Sequence, residues 1–235
     1  MVPTIIFPSM NPELCAFARA FIPPEWPVIV KDGNPERHFD ELKTLDIQTK
    51  WAVNVDEDCF VINPQAIVEL IAHMEASGYD TAAIQDGASN LRAHNPVMFN
   101  PFFFVFNVAK VQAVPKVTTD IPTMVATSRQ FAPLQRYFDL PFEFDGFEPY
   151  YPFFTDLLLA GLRPLFLNNH AWEAFDPAPT GLGKPSIVLD ERGNELCIHA
   201  WYSRLYHEPV VRARLDACIR YAYDQRRKLL GLPPA

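Results

Sequence analysis

The sequence predicts an α/β domain: a mixed, mainly parallel central sheet flanked by helices, with one more helix at the C-terminus. Three observations carry that class. Short β-rich runs alternate with helix-patterned segments over residues 1–90, the signature of strand–helix–strand units. Acidic residues (Asp32, Asp56, Glu57, Asp58 and Asp86) fall where those runs end, and ligands of such sheets bind beyond the carboxyl ends of the strands. Proline is abundant (23) and glycine scarce (9), so the chain is punctuated into short elements joined by ordered loops.

The elements follow in order. "PTIIFPSM" is a first strand, and "PELCAFARAF" has helical spacing at Leu14, Phe17, Ala18 and Phe21 before Pro23-Pro24 stops it. "WPVIVKDG" is a second strand and "HFDELKTLDIQ" a short helix or loop. "KWAVNVDEDCFV" reads as one third strand carrying the acidic triplet. "NPQAIVELIAHMEASG" is the clearest helix, with Asn63 as cap, Pro64 in its first turn and Gly78 at its end. "DTAAIQDG" is a further strand.

The second half is less regular. "FFFVFNVAKVQ" is a strongly apolar strand, and an aromatic, proline-broken stretch leads into a helix that ends at Gly161. "LRPLFLN" is a strand and "SIVLDERGNELCIHAWYSR" a hairpin around Arg192-Gly193-Asn194. "PVVRARLDACIRYAYDQRRKLLG" is the last helix, with Val210, Leu215, Ile219 and Ala222 toward the core. Residues 1–235 form one domain in this reading: a regular first half (1–90), a less regular second half (91–205) and the C-terminal helix (206–235).

Composition narrows the function. A net charge of −8 argues against a nonspecific polyanion binder. Cys15, Cys59, Cys197 and Cys218 lack metal-type spacing, so they read as reduced, buried thiols of a cytoplasmic protein. The N-terminus has no basic leader and no run reaches about 18 apolar residues, so neither a signal peptide nor a spanning helix is expected.

The chemistry concentrates in "WAVNVDEDCFV". An apolar strand followed by D-x-D presents two carboxylates to one space. Mg²⁺ and Mn²⁺ take such oxygen ligands and bridge them to substrate phosphates. A solvated turn is the plainer explanation of the same residues. His199 adds an imidazole suited to Mn²⁺, with His170 in "NNHAWEAF" as the competing ligand. Tyr202 and Arg204 lie close to His199 in sequence and are in reach of diphosphate oxygens. Lys50 immediately precedes the acidic strand.

In order and local shape the chain resembles the GT-A glycosyltransferases, a Rossmann-like superfamily that uses nucleotide-sugar donors. "VIVKDG" resembles its second strand, whose aspartate (here Asp32) contacts the nucleotide base. "WAVNVDEDCFV" resembles its D-x-D strand, followed by a proline-started helix. "FEPYYPFFTDLLLAG" is similar to a later acidic motif, and "CIHAWYSR" to the segment whose histidine completes metal coordination. The likeness spans roughly residues 3–205. It implies a nucleotide-sugar-binding half over 1–90, an acceptor-binding and catalytic half over 91–205, and a divalent cation on Asp56, Asp58 and His199, with Asp32, Lys50, Asp56, Tyr202 and Arg204 contacting the donor.

The resemblance thus implies transfer of a sugar, such as glucose, from a nucleoside diphosphate sugar (UDP-sugar favoured) to a hydroxyl acceptor. An inverting reaction, favoured over a retaining one, needs a general base. Glu148 and Asp156 are the candidates, since Glu148-Pro149 stands where the family has a Glu-Asp pair; Glu148 as a helix-capping charge is the alternative. "QDGASNLRAHNPVMFN", with Asn90, Arg92, His94 and Asn95, falls where acceptor loops lie in this fold class. The acceptor is a saccharide, a protein or, given the basic stripe Arg212, Arg214, Arg220, Arg226, Arg227 and Lys228, a hydroxylated DNA base of viral type. A sugar-phosphate nucleotidyltransferase would need a glycine-rich loop after the first strand, and "FPSMNPELCAF" has none. A non-catalytic nucleotide-sugar-binding domain is the remaining alternative.

Overall fold

A computed structural model of the chain describes residues 1–35, 37–86, 95–118, 132–137, 148–176 and 183–233. Its strands are β1 (Thr4–Ser9), β2 (Val28–Asp32), β3 (Trp51–Val55), β4 (Cys59–Val61), β5 (Thr81–Gln85), β6 (Phe99–Asn107), β7 (Pro164–Ala171), β8 (Ser186–Leu189) and β9 (Glu195–His199). Six helices join them: α1 (Pro12–Arg19), α2 (His38–Leu42), α3 (Pro64–Ser77), α4 (Val108–Ala113), α5 (Tyr151–Leu159) and α6 (Pro209–Leu229).

The strands form a nine-stranded mixed sheet in the order β2-β1-β3-β6-β5-β7-β8-β9-β4. Parallel pairing is confined to β1–β2, β1–β3 and β5–β7. The remaining pairs are antiparallel, so the mainly parallel character expected from the sequence holds only for part of the sheet. A fully buried antiparallel strand such as β6 carries the same unbroken apolar run as a parallel one, which is why periodicity does not separate them.

Helices cover both faces of the sheet. Ile5, Phe7, Val53 and Val55 pack with α1, α3 and α6, while Ile6, Ala52, Phe104 and Phe106 pack with α2, α4 and α5. Alternate residues of β1 and β3 thus enter opposite cores, as the pleat requires. The expected N-cap forms, Asn63 Oδ1 accepting from Ala66 N–H, and α1 has one as well, Asn11 Oδ1 accepting from the N–H groups of Glu13 and Leu14. Gly78 ends α3 at φ 75°, a left-handed position that glycine occupies without a Cβ clash. All four cysteines are buried and free. Among the described residues no helix is long and apolar enough to cross a membrane.

Three expectations are corrected. The run 51–61 is not one strand: β3 stops at Val55, and β4 leaves to pair with β9 at the far end of the sheet order. The last residues of "FFFVFNVAKVQ" turn into α4, capped by Asn107. In α6 the core face is Val211, Arg214, Leu215, Cys218 and Ala222, while Val210 is exposed.

The split of β3 and β4 has a large consequence. Consecutive strands lie at distant places in the order, so the sheet curls until β9 and β4 meet β3 and β6. The closure is visible in the rings of Phe102 on β6 and His199 on β9, stacked 3.9 Å apart at 17°. The acidic turn is the seam.

Candidate metal centre and donor cleft

The turn Asp56–Asp58 is fixed by main-chain bonds on both sides. Asp56 N–H donates to Phe102 O (2.9 Å), Cys59 N–H to Asp56 O (2.9 Å), and Ala200 N–H to Asp58 O (2.9 Å). With its backbone held by β6 and by the residue after β9, each acidic side chain has a set direction.

Those directions differ. Glu57 points away from its neighbours: its Oε2 accepts from Ser9 Oγ (2.7 Å), Met10 N–H (3.0 Å) and Asn11 N–H (2.8 Å). Burial pushes its carboxyl up, and these three donors pull it partly back. Glu57 therefore ties the acidic turn to the junction of β1 and α1. Asp58 accepts from Ser203 N–H at Oδ2 (3.3 Å) and lies 3.0 Å from His199 Nε2 at Oδ1. Burial pushes the Asp58 carboxyl up, but His199 and the main-chain donors outweigh it and hold the group below its ordinary value.

Asp56, Asp58 and His199 each bring one ligand atom into a group within 4.8 Å. Asp56 is the strained member: burial, then the charges of Asp58 and Glu57, push it up to about 8. His199 is buried, its ring held by Phe102 and by Trp201 (4.2 Å), and its Nδ1 has no hydrogen-bond partner among the described residues. Two carboxylates and one imidazole with an orphaned buried nitrogen fit a divalent cation: oxygen ligands with one nitrogen suit Mn²⁺ or Mg²⁺.

The three groups sit in the wall of a cleft of about 520 Å³, within the usual range for small-molecule sites. Met10 and Gly33, just past the ends of β1 and β2, line it together with Glu148, Tyr150, Tyr202 and the cationic Arg204. A Cβ on Gly33 would come within 3.0 Å of Ser9 N, so glycine is needed where the ends of β1 and β2 converge.

Of the sequence-predicted residues, Asp56, Asp58, His199, Tyr202, Arg204 and Glu148 are brought together around this cleft. Others are not. Asp32 is at the end of β2 as expected but outside the lining, paired with Arg37 at 3.1 Å and accepting from Asn34 N–H. Lys50 stands at the opposite end of β3 from the acidic turn and pairs with Glu75 at 2.8 Å; adjacency in sequence put it at the wrong end of an extended strand. Asp156 is on the buried face of α5, where its oxygens accept from Val117 N–H and Thr118 N–H at 2.9 Å each. His170 is exposed on β7, apart from the acidic turn. Asn90, Arg92 and His94 lie outside the described residues; Asn95 is buried, with Oδ1 accepting from Val97 N–H.

Residues that sequence reasoning missed include His38 and Asn100, both in the lining. His38 Nε2 meets Asn54 Oδ1 at 2.7 Å, while Asn54 Nδ2 donates to Pro101 O. The amide orientation is thereby fixed, and His38 carries its proton on Nε2. Burial pushes the imidazole down to about 4, so His38 is neutral scaffold at ordinary pH. Asn100 Nδ2 donates to Asp86 Oδ1 (2.7 Å), and Tyr151 Oη to Asp86 Oδ2 (2.7 Å). Asp86 thus supports the cleft wall from behind. The one sequence signal for it was its place at a strand end.

No family model matches the sequence, and no curated protein does. Among solved structures the chain is similar to a glycosyltransferase described as involved in the glycosylation of the major capsid of PBCV-1. That likeness has 11% identity and a TM-score of 0.34, and covers 48% of this chain and 66% of that one. The match therefore spans just under two thirds of that protein's length.

Proposed function

We propose that the chain is a metal-dependent glycosyltransferase that moves a sugar from a nucleoside diphosphate sugar to a hydroxyl acceptor. One observation carries the reading: Asp56, Asp58 and His199 converge within 4.8 Å in the wall of a cleft at the ends of three mutually parallel strands, beside Arg204. A divalent cation, Mn²⁺ or Mg²⁺, bound there supplies charge neutralisation for a departing diphosphate.

The chain's own residues do the rest. Asp56, Asp58 and His199 hold the ion, and His199 is kept in place by the rings of Phe102 and Trp201. Arg204 binds diphosphate oxygens by charge-assisted hydrogen bonds, and Tyr202 covers the nucleotide. Glu148, also in the cleft lining, takes the proton of the acceptor hydroxyl as its oxygen bonds to the anomeric carbon, giving inversion. The sugar–phosphate bond breaks and its electron pair leaves with the nucleoside diphosphate. Asp156 is not assigned a catalytic role, because both its oxygens are taken by main-chain N–H groups.

A sugar-phosphate nucleotidyltransferase is disfavoured. Where it needs a glycine-rich loop of free N–H groups, those of Met10 and Asn11 are already taken by Glu57. A saccharide or protein acceptor is favoured over a DNA base. The basic stripe of α6 is broken: Arg214 is buried, Arg212 pairs with Glu13 and Arg226 donates to Phe21 O.

The test is a panel of nucleotide sugars scored by thermal shift with and without Mn²⁺. A donor at a hundred times its dissociation constant stabilises the fold by about 2.7 kcal/mol, visible only when metal is present. Absence of any metal-dependent nucleotide binding refutes the reading. With a donor found, Glu148→Gln is expected to lower transfer by roughly 10²–10⁴-fold while leaving donor binding intact.

A further inference from the structure

Arg214 lies in the second turn of α6 and is 1% exposed. Its Nε donates to Ala200 O and its Nη1 to Gly183 O, both main-chain carbonyls, and Nη2 has no hydrogen-bond partner among the described residues. The guanidinium lies 5.1 Å from the Phe175 ring and 5.5 Å from the Tyr202 ring. Burying a charge on neutral carbonyls is costly, and space-filling at this helix position is served by leucine or methionine. The donors are what the arginine adds.

What they hold is the segment after β9. Ala200 is gripped from two sides: its N–H donates to Asp58 O and its O accepts from Arg214. Trp201 and Tyr202 follow in the left-handed region, at φ 62° and 69°, the positive-φ residues other than glycine among the described residues. Such backbone persists only where its surroundings over-determine it. Trp201 is pinned by Nε1 donating to Ser186 Oγ (2.8 Å) and Tyr202 by the guanidinium. The two residues turn the chain so that Ser203 N–H meets Asp58 Oδ2 and Arg204 enters the cleft.

Resting on the reading of the site given above, we infer that Arg214 is a positioning residue of the metal centre. From α6 it fixes the Ala200–Arg204 turn, and through it the aim of Asp58, His199 and Arg204. The C-terminal helix is thereby part of the active site's support.

The test is Mn²⁺ binding by isothermal titration to the full chain and to Arg214→Met and Arg214→Lys, at a temperature where near-ultraviolet circular dichroism finds each folded. Arg214→Met weakens Mn²⁺ binding by about tenfold or more, as loss of a support to a metal ligand does. Arg214→Lys, which keeps the charge and one donor direction, weakens it by about threefold. In turnover the loss falls on the donor KM more than on kcat. A role confined to packing leaves the Mn²⁺ affinity of folded Arg214→Met within twofold of the parent, and that result overturns the inference. If Arg214→Met does not fold, Arg214→Lys decides: affinity equal to the parent's overturns it. A parent chain that binds no Mn²⁺ overturns the reading of the site and this inference together, whereas a parent that binds beside an unaffected Arg214→Met overturns this inference alone.

Discussion

Asp58 and Asp156 are both buried carboxylates, 3% and 5% exposed, and both were read from the sequence as site residues. Their surroundings are opposite. Asp156 receives two main-chain N–H groups and faces the Lys43 ammonium at 4.0 Å, and it is not among the residues that line the cleft. Asp58 shares its space with Asp56, faces an imidazole with an orphaned nitrogen, and lines the cleft. A buried acid that is fully satisfied is scaffold. One held beside a like charge is a place that wants a cation.

Substitution should pull the two apart. The largest effect is expected at the scaffold: Asp156→Ala strands two N–H groups and the buried Lys43 ammonium, and should cost roughly 3–5 kcal/mol in urea unfolding. Mn²⁺ affinity of the folded variant should stay as in the parent.

Next comes acid titration of His38, whose pKa falls from 6.5 to about 4 on folding. Between these values the unfolded chain binds a proton that the folded chain does not. Stability therefore falls as pH drops from 6.5 and levels off below about 4, by up to about 3 kcal/mol. His38→Gln should flatten that part of the pH–stability curve.

The smallest effect has the opposite sign. Asp56 is ionised in the unfolded chain above 3.8 but holds its proton in the fold until about 8, so it subtracts stability across that window as pH rises. At pH 7 without metal, Asp56→Asn should raise stability by about 1–2 kcal/mol, a reduced figure because the side chain is part-exposed. Mn²⁺ binding should be lost in the same variant. Stability gained while binding is lost is the mark of a site rather than a scaffold.

Much of this was legible in the chain. The cap Asn63, the end of α3 at Gly78 and the strands β1, β2, β5 and β8–β9 follow from local chemistry that tertiary structure does not overrule. The convergence of Asp56, Asp58 and His199 was legible because a D-x-D at a strand end and a histidine at a hairpin end restrict where side chains point.

What was not legible depends on pairing partners. In "WAVNVDEDCFV" nothing local says that Phe60 belongs to a different part of the sheet from Val53, because both halves are apolar and extended. Antiparallel β6 hides behind an apolar run for the same reason. Arg214 reads as one cation in a basic stripe until Ala200 and Gly183 are seen to accept from it. Asp156 and Lys50 were misplaced by sequence proximity, which fixes neither depth of burial nor end of strand.

The central claim is that Asp56, Asp58 and His199 together hold a divalent cation that donor binding requires. Isothermal titration of Mn²⁺ in the presence of UDP tests it most directly. One metal site is expected in the parent and in Asp156→Asn, and none in Asp58→Asn or His199→Ala. A parent that takes up no metal, or an Asp58→Asn variant that titrates like the parent, contradicts it.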